Sequence, residues 1–157
     1  RKLGVPQNPE LAFGAIDPDG EVYIDRKTVE YFKLTEDTIK QVAQEELKKI
    51  RERERTFLKG EMPEVRDRKV IVVDDGIATG YTVIAGVNFV KRKGAMKVLV
   101  ASPVCPTETI RKIKEYADEV YCYCESDEPS FAVGMFYRDF HEVRDEEVME
   151  LLKNGVL

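Results

Sequence analysis

Apolar residues between positions 70 and 124 alternate between strand spacing and helix spacing. Four apolar residues in a row at 70–73, three of them Val, predict a buried parallel strand. Residues 82–93 then predict a helix with valines on one face and a glycine at its end. A strand at 97–101, a helix at 107–116 and a strand at 120–124 continue the alternation. This pattern predicts an α/β fold, a mostly parallel twisted sheet flanked by helices on both faces.

The first half of the chain predicts shorter strands and one long helix. Asp17-Pro18-Asp19-Gly20 is a strong turn signal between two short apolar stretches. Thr35 can cap a helix that runs to about Leu58 and stops at Gly60. The far half of that helix is densely charged, as in a surface helix that lies on the sheet or packs on a second subunit. The predicted elements are strands at 12–16 and 21–24, helices at 26–33, 35–58 and 146–152, the last capped by Asp145, and a polar connection at 62–68.

The length of the chain predicts one domain, and its composition argues against nucleic-acid and membrane partners. At 157 residues the chain is large enough for a core of its own. The formal net charge of −5 argues against a general nucleic-acid binder, and no stretch approaches the ~20 apolar residues of a membrane span. Three cysteines without a metal-binding pattern, and no signal peptide, favour reduced thiols and a cytoplasmic location. The chain starts with Arg1 rather than Met, as a fragment or a processed chain would.

Residues 70–82, VIVVDDGIATGYT, carry the chemistry. A Gly/Thr turn that enters a helix after a buried strand offers backbone N–H groups, hydroxyls and the positive end of the helix dipole to a phosphate. Asp74 and Asp75 would repel that phosphate unless they served another group, such as ribose hydroxyls or Mg²⁺ through water. The pattern lacks the lysine of a P-loop and the glycine spacing of a dinucleotide turn. It therefore indicates a sugar-phosphate site, the alternative being an ordinary turn that the aspartates cap.

The same stretch resembles the ribose-phosphate loop of type I phosphoribosyltransferases, which bind phosphoribosyl pyrophosphate (PRPP). The resemblance implies that fold with a small hood built from segments near the termini. It implies that Asp74 and Asp75 hold the ribose 2′- and 3′-hydroxyls and contribute to catalysis. The residues that would bind the rest of PRPP around its 5′-phosphate are Gly76, Ala78, Thr79, Gly80, Tyr81 and Thr82. Mg²⁺ would arrive with PRPP, held through water with no direct protein ligand beyond a possible contact with the two aspartates.

Two further segments resemble parts of the purine enzymes of this family. Arg1-Lys2-Leu3-Gly4 resembles the start of a mobile catalytic loop, which implies that Lys2 contacts pyrophosphate, with Glu10 in the same loop; a frayed basic terminus is the alternative. Phe131 lies where those enzymes stack an aromatic ring on the base, which is worth about 1–3 kcal/mol. Alternatively, Phe131 and its aromatic neighbours only cover the end of the sheet.

Three departures from the family pattern bear on the acceptor and on completeness. Ala78 stands where hypoxanthine-guanine enzymes have an aspartate, and alanine cannot act as a base. The strand at 97–101 runs into Ser102 with no lysine, which argues against hypoxanthine, guanine or xanthine as acceptor. The family also has an earlier pyrophosphate turn, often P-R-G-G, which we expect roughly 40–50 residues before Arg1. The chain would then begin about one βαβ unit late.

The sequence thus predicts an enzyme that transfers a phosphoribosyl group from PRPP to a nitrogenous small molecule, most simply a nucleobase, and releases pyrophosphate. Relatives of this kind are commonly homodimers, and neither nucleic acid nor membrane is expected as a partner. The alternative is a PRPP-sensing regulatory module without transferase activity. A sensor would usually need a separate nucleic-acid-binding surface, and the sequence offers no basic patch or helix-turn-helix.

Overall fold

The structure of the chain is a computed structural model that describes residues 1–153, and within these residues it contains two three-stranded sheets. None of the helices in this range is both long and apolar enough to cross a membrane. In chain order the elements are β1 (Lys2–Val5), β2 (Asn8–Ile16), β3 (Val22–Ile24), α1 (Arg26–Tyr31), α2 (Glu36–Leu58), β4 (Lys69–Val73), α3 (Tyr81–Arg92), β5 (Lys97–Cys105), α4 (Thr107–Ile113), β6 (Glu119–Glu125) and α5 (Asp145–Lys153), with a short 3-10 turn at Val133–Phe136.

The second half of the chain forms a parallel sheet in the order β4–β5–β6. Val98 and Val100 on β5 are fully buried and pack with apolar residues of α3 and α4 in one core cluster. The two crossovers advance in the same direction along the sheet, so right-handed connections place both helices on the same face. This explains why α3 and α4 share a core.

The other face of the parallel sheet is open to solvent within the described residues. Its side chains include Ile71 and Val73 on β4 and Tyr121 and Tyr123 on β6, which are 58–95% exposed. The predicted parallel sheet with flanking helices is therefore confirmed, but helices cover only one of its faces in residues 1–153. The hood stays a prediction.

The first half of the chain forms a separate antiparallel sheet, β1–β2–β3, rather than joining the parallel one. Leu3, Val5 and Phe13 are fully buried in a second core cluster, where Ala43 and Ile50 of α2 also lie. Helix α3 contacts strands of both sheets, so it connects the two cores.

A buried carboxylate fixes the turn between β2 and β3 to α3. Asp17 is 1% exposed and accepts hydrogen bonds from the Asp19 and Glu21 N–H groups, from the Tyr23 hydroxyl and from the Arg92 guanidinium, the last at 2.6 Å. A charge buried this deeply needs such partners. The predicted 17–20 turn therefore also joins the antiparallel sheet to the end of α3.

Most element positions agree with the sequence predictions to within a few residues, and β1 is the main difference. The resemblance implies the start of a mobile loop at residues 1–4, but Lys2–Val5 is a strand paired with β2. The physical reason is alternation, since Leu3 and Val5 are buried while Lys2 is exposed. Strand β5 also runs four residues further than predicted, to Cys105, because Ser102 and Val104 keep pairing with β6.

Candidate functional site

The candidate site starts where β4 ends. The Asp74 N–H donates to the Ala101 carbonyl at 3.2 Å, and the Ile77 N–H donates to the Val104 carbonyl at 2.9 Å, so the loop stays attached to β5 beyond the strand. Ile77 is 2% exposed and fills the core below the loop. The loop therefore has a fixed apolar anchor in its middle, while Ala78 and Thr79 beside it are exposed.

The loop then enters α3 through Gly80, which has a φ of +83°. A Cβ there would also lie 2.9 Å from Cγ2 of Thr109, so glycine is required by conformation and by space. The Thr109 hydroxyl donates to the Ala78 carbonyl at 2.7 Å and holds the loop from the first turn of α4. No described side chain caps α3, and the exposed Thr82 lies in its first turn. The N–H groups of this helix end remain available to an anion.

The Asp74 carboxyl has unusual electrostatics. Partial burial, and then the neighbouring Asp75 carboxyl, raise the pKa of Asp74 to about 6. The Gly76 N–H lies 3.5 Å from Asp74 Oδ1, a long contact that acts in the opposite direction. A carboxyl group with a raised pKa, beside a helix end whose N–H groups have no side-chain cap, is typical of a functional site.

One cleft of about 670 Å³ joins the loop to both distant segments singled out in the sequence. Its first wall is the loop itself with the start of α3. Its second wall is the β1–β2 hairpin, which contributes Lys2 and Glu10. The Lys2 Nζ atom lies 3.8 Å from Glu10 Oε2. Its third wall includes Phe131. The predicted residues that line the cleft are Lys2, Glu10, Asp74, Asp75, Gly76, Ala78, Thr79, Gly80, Thr82 and Phe131.

Tyr81 is the one predicted site residue that does not line this cleft. The Lys112 ammonium lies 3.4 Å from the centre of its ring, so the side chain lies against α4. Any contribution of Tyr81 to phosphate binding would come from its backbone N–H.

Sequence reasoning did not assign Leu11, Ala12, Val133 and Phe140 to the site, yet all four line the cleft. Leu11 and Ala12 follow Glu10 on β2, so strand pairing between β1 and β2 would have found them. The ring centres of Phe140 and Tyr137 lie 5.0 Å apart, and the Tyr137 hydroxyl donates to the Asp75 carbonyl. Contacts between segments so far apart in the chain leave no signal in a single sequence.

The described residues contain no group of three or more His, Cys, Asp or Glu side chains that could hold a metal ion. Asp74 and Asp75 still fit Mg²⁺ of the kind that keeps its waters and bridges one or two carboxylates to substrate phosphates. The residues present therefore suit a magnesium ion that arrives with a phosphorylated ligand.

Comparison with known proteins identifies the family of the chain. The model of the family described as the phosphoribosyl transferase domain matches residues 19–137. The chain belongs to this family. The matched range contains the acidic pair, the loop and Phe131, while Lys2 and Glu10 lie before it. The resemblance drawn from residues 70–82 is confirmed.

Relatives and a solved structure agree with this assignment. A Mycobacterium tuberculosis (strain CDC 1551 / Oshkosh) protein, MT0597, named provisionally as a phosphoribosyl transferase, is 38% identical over 97% of this chain and 34% of its own length. A crystal structure of TT1426 from Thermus thermophilus is similar with a TM-score of 0.70 and 32% identity, over 98% of this chain and 73% of that one. A uracil phosphoribosyltransferase of Clostridioides difficile (strain 630) is 35% identical over 40% of this chain and 30% of its own length. The chain spans about a third of the length of its mycobacterial relative.

Proposed function

We propose that the protein transfers a phosphoribosyl group from PRPP to a nitrogenous heterocycle and releases pyrophosphate. The single observation that carries the proposal is the cleft that joins the acidic pair, the α3 entry loop, Lys2 and Phe131. These groups suit the ribose, the 5′-phosphate, the pyrophosphate and the acceptor respectively. Membership of the phosphoribosyl transferase family supports PRPP as the donor.

The donor would be held at two kinds of site on one loop. Ionised Asp74 and Asp75 accept hydrogen bonds from the ribose hydroxyls, which are donors. The N–H groups at the start of α3 and the hydroxyls of Thr79 and Thr82 bind the 5′-phosphate. Holding both ends of the sugar fixes C1 relative to the acceptor, so the reaction becomes effectively intramolecular.

The β1–β2 hairpin would cover the pyrophosphate side of the cleft. Lys2 is half-exposed, and its only close acidic neighbour among the described ion pairs is the exposed Glu10. An exposed pair of this kind is worth little, so the ammonium is free to turn to a polyphosphate. We propose that this hairpin and residues 131–140 together form the hood over the site.

The acceptor would lie against residues 131–140, the aromatic wall of the cleft. Phe131 and Phe140 offer flat apolar surfaces to a heterocycle. Ala78 supplies no general base and no lysine follows Ala101, so neither position carries the group that would select a 6-oxopurine. Local similarity to proteins named uracil phosphoribosyltransferases supports a nucleobase as the acceptor class.

In the reaction, the acceptor nitrogen forms a bond to C1 of the ribose while the bond from C1 to the pyrophosphate oxygen breaks. Pyrophosphate leaves with the electron pair, and the acceptor nitrogen gives its proton to the departing pyrophosphate. The acidic pair stabilises the positive charge that develops on the sugar, and the hairpin and aromatic wall exclude water from it. Mg²⁺, when bound, neutralises phosphate charge, and Asp74 and Asp75 are the residues that would face it.

Pyrophosphate release tests the proposal. The purified chain is mixed with PRPP and Mg²⁺ and with each of a panel of purine and pyrimidine bases. Release that depends on one base, with formation of the matching nucleotide, is the expected result. PRPP binding without release by any base would instead favour the PRPP-sensing alternative, and failure to bind PRPP would reject both.

A further inference from the structure

Residues 131–140, which form the aromatic wall, lie directly on the acidic pair. A Cβ added to Gly76 would lie 2.2 Å from Cγ1 of Val133, so only a glycine admits this segment so close to the loop. The Tyr137 hydroxyl donates to the Asp75 carbonyl, a contact between residues 62 positions apart. The Tyr137 ring packs on Phe140 at 5.0 Å, which holds the ring over the loop.

These contacts converge on the peptide group between Asp75 and Gly76. In a trans peptide the C=O and the N–H point in opposite directions. The C=O of this peptide accepts from Tyr137, and its N–H faces Asp74 Oδ1 at 3.5 Å. The tyrosine hydroxyl thus fixes, through one rigid peptide group, the donor that faces the Asp74 carboxylate.

The hydroxyl is not needed for packing. A phenylalanine at 137 would keep the ring contact with Phe140, and only the bond to the Asp75 carbonyl would be lost. The Asp74 carboxylate has few other constraints of this kind: the Asp75 N–H also bonds to it, and the Asp74 N–H bond to the Ala101 carbonyl holds only the backbone before it.

We propose that Tyr137 is a positioning residue whose hydroxyl aims the Asp74 carboxylate at the ribose of PRPP by fixing the Asp75–Gly76 peptide. The inference rests on the proposed function. Phe140 lines the acceptor side of the cleft and packs on the same tyrosine. Tyr137 therefore contacts residues of both the acceptor side and the donor side.

The test measures the binding of PRPP·Mg²⁺ and of pyrophosphate·Mg²⁺ calorimetrically for wild type, Tyr137→Phe and Tyr137→Leu at neutral pH. Loss of one hydrogen bond predicts roughly threefold to tenfold weaker PRPP binding by Tyr137→Phe. Pyrophosphate has no ribose for Asp74 to hold, so its affinity for Tyr137→Phe should stay at the wild-type value.

Tyr31→Phe is the matched control, since Tyr31 is 81% exposed on α1 and takes no part in the cleft. Thermal unfolding of each variant separates a loss of fold from a loss of binding.

A positioning role predicts that Tyr137→Phe resembles Tyr137→Leu in its weaker PRPP binding and keeps wild-type pyrophosphate binding, while its thermal unfolding stays close to that of wild type because the lost bond is exposed. A packing role predicts that Tyr137→Phe binds like wild type and only Tyr137→Leu differs, which would overturn the inference and leave the proposed function intact. If wild type itself fails to bind PRPP, the proposed function fails and this inference fails with it.

Discussion

At the residue scale, Asp74 carries the clearest conflict between stability and function. Its pKa of about 6 lies above the ordinary value near 4, because burial and the Asp75 carboxyl disfavour the charged form. Its ionised form is nevertheless the one that would bind ribose hydroxyls. Sites of function often retain such destabilising groups.

Replacing Asp74 by Asn should therefore stabilise the protein at pH 8 while weakening PRPP binding. Since the folded pKa is raised, ionised Asp74 opposes folding fully above about pH 6, and this cost disappears as the pH falls towards 4. We expect a gain of roughly 1–3 kcal/mol in the free energy of unfolding at pH 8, shrinking at lower pH. Urea denaturation of wild type and Asp74→Asn at several pH values measures it, with the exposed Asp127→Asn as control. A loss of stability, or a difference independent of pH, would contradict the account.

At the element scale, the loop owes its shape to α4 as much as to its own residues. Thr109, in the first turn of α4, bonds to the Ala78 carbonyl, and its Cγ2 would lie 2.9 Å from a Cβ added to Gly80. The helix is short, spanning Thr107–Ile113, and is held by the buried side chains of Ile110 and Ile113. A phosphate bound at the start of α3 would therefore depend on a neighbouring helix.

Thr109→Val should loosen the loop with little change in side-chain volume. The Ala78 carbonyl would lose its donor, so we expect about 1 kcal/mol less stability and a several-fold weaker PRPP affinity. Thr109→Ser keeps the hydroxyl and should retain affinity. Calorimetric titration of both variants with PRPP·Mg²⁺ distinguishes them, and equal affinities for Val and Ser would rule out the role given to this bond.

The elements that could be predicted from the sequence are those with a strong local pattern. The valine run of β4, the turn at 17–20 and the capped helix α2 all depend on short stretches of chain. Strand β1 escapes prediction because four residues of alternation are a weak signal beside a basic motif that resembles a loop. The separate antiparallel sheet and the bond from Tyr137 to Asp75 depend on contacts between distant residues, which a single sequence does not reveal.

At the scale of the whole molecule, the parallel sheet is asymmetric within the described residues. Parallel sheets are normally covered on both faces, yet here one face carries the helices and the other has exposed Ile71, Val73, Tyr121 and Tyr123. A contiguous apolar surface of this kind attracts other apolar surfaces.

We predict that the chain binds a hydrophobic fluorescent dye at this face. The double variant Ile71→Thr/Tyr123→Thr should bind clearly less dye, because both side chains lie on the open face. Its free energy of unfolding should change by less than about 1 kcal/mol, since neither side chain is buried. The control Tyr31→Thr/Met96→Thr removes two exposed apolar side chains elsewhere. Equal loss of dye from both variants would show that the face has no special role.

The most direct test of the central claim is the affinity for PRPP of a variant that lacks both carboxylates. Asp74→Asn/Asp75→Asn removes the groups assigned to the ribose, while Asp127→Asn/Glu128→Gln removes the same charge from an exposed pair after β6. Calorimetric titration with PRPP·Mg²⁺ should show binding by wild type and by the second variant, and none by the first. Wild-type affinity in the Asp74→Asn/Asp75→Asn protein would contradict the account.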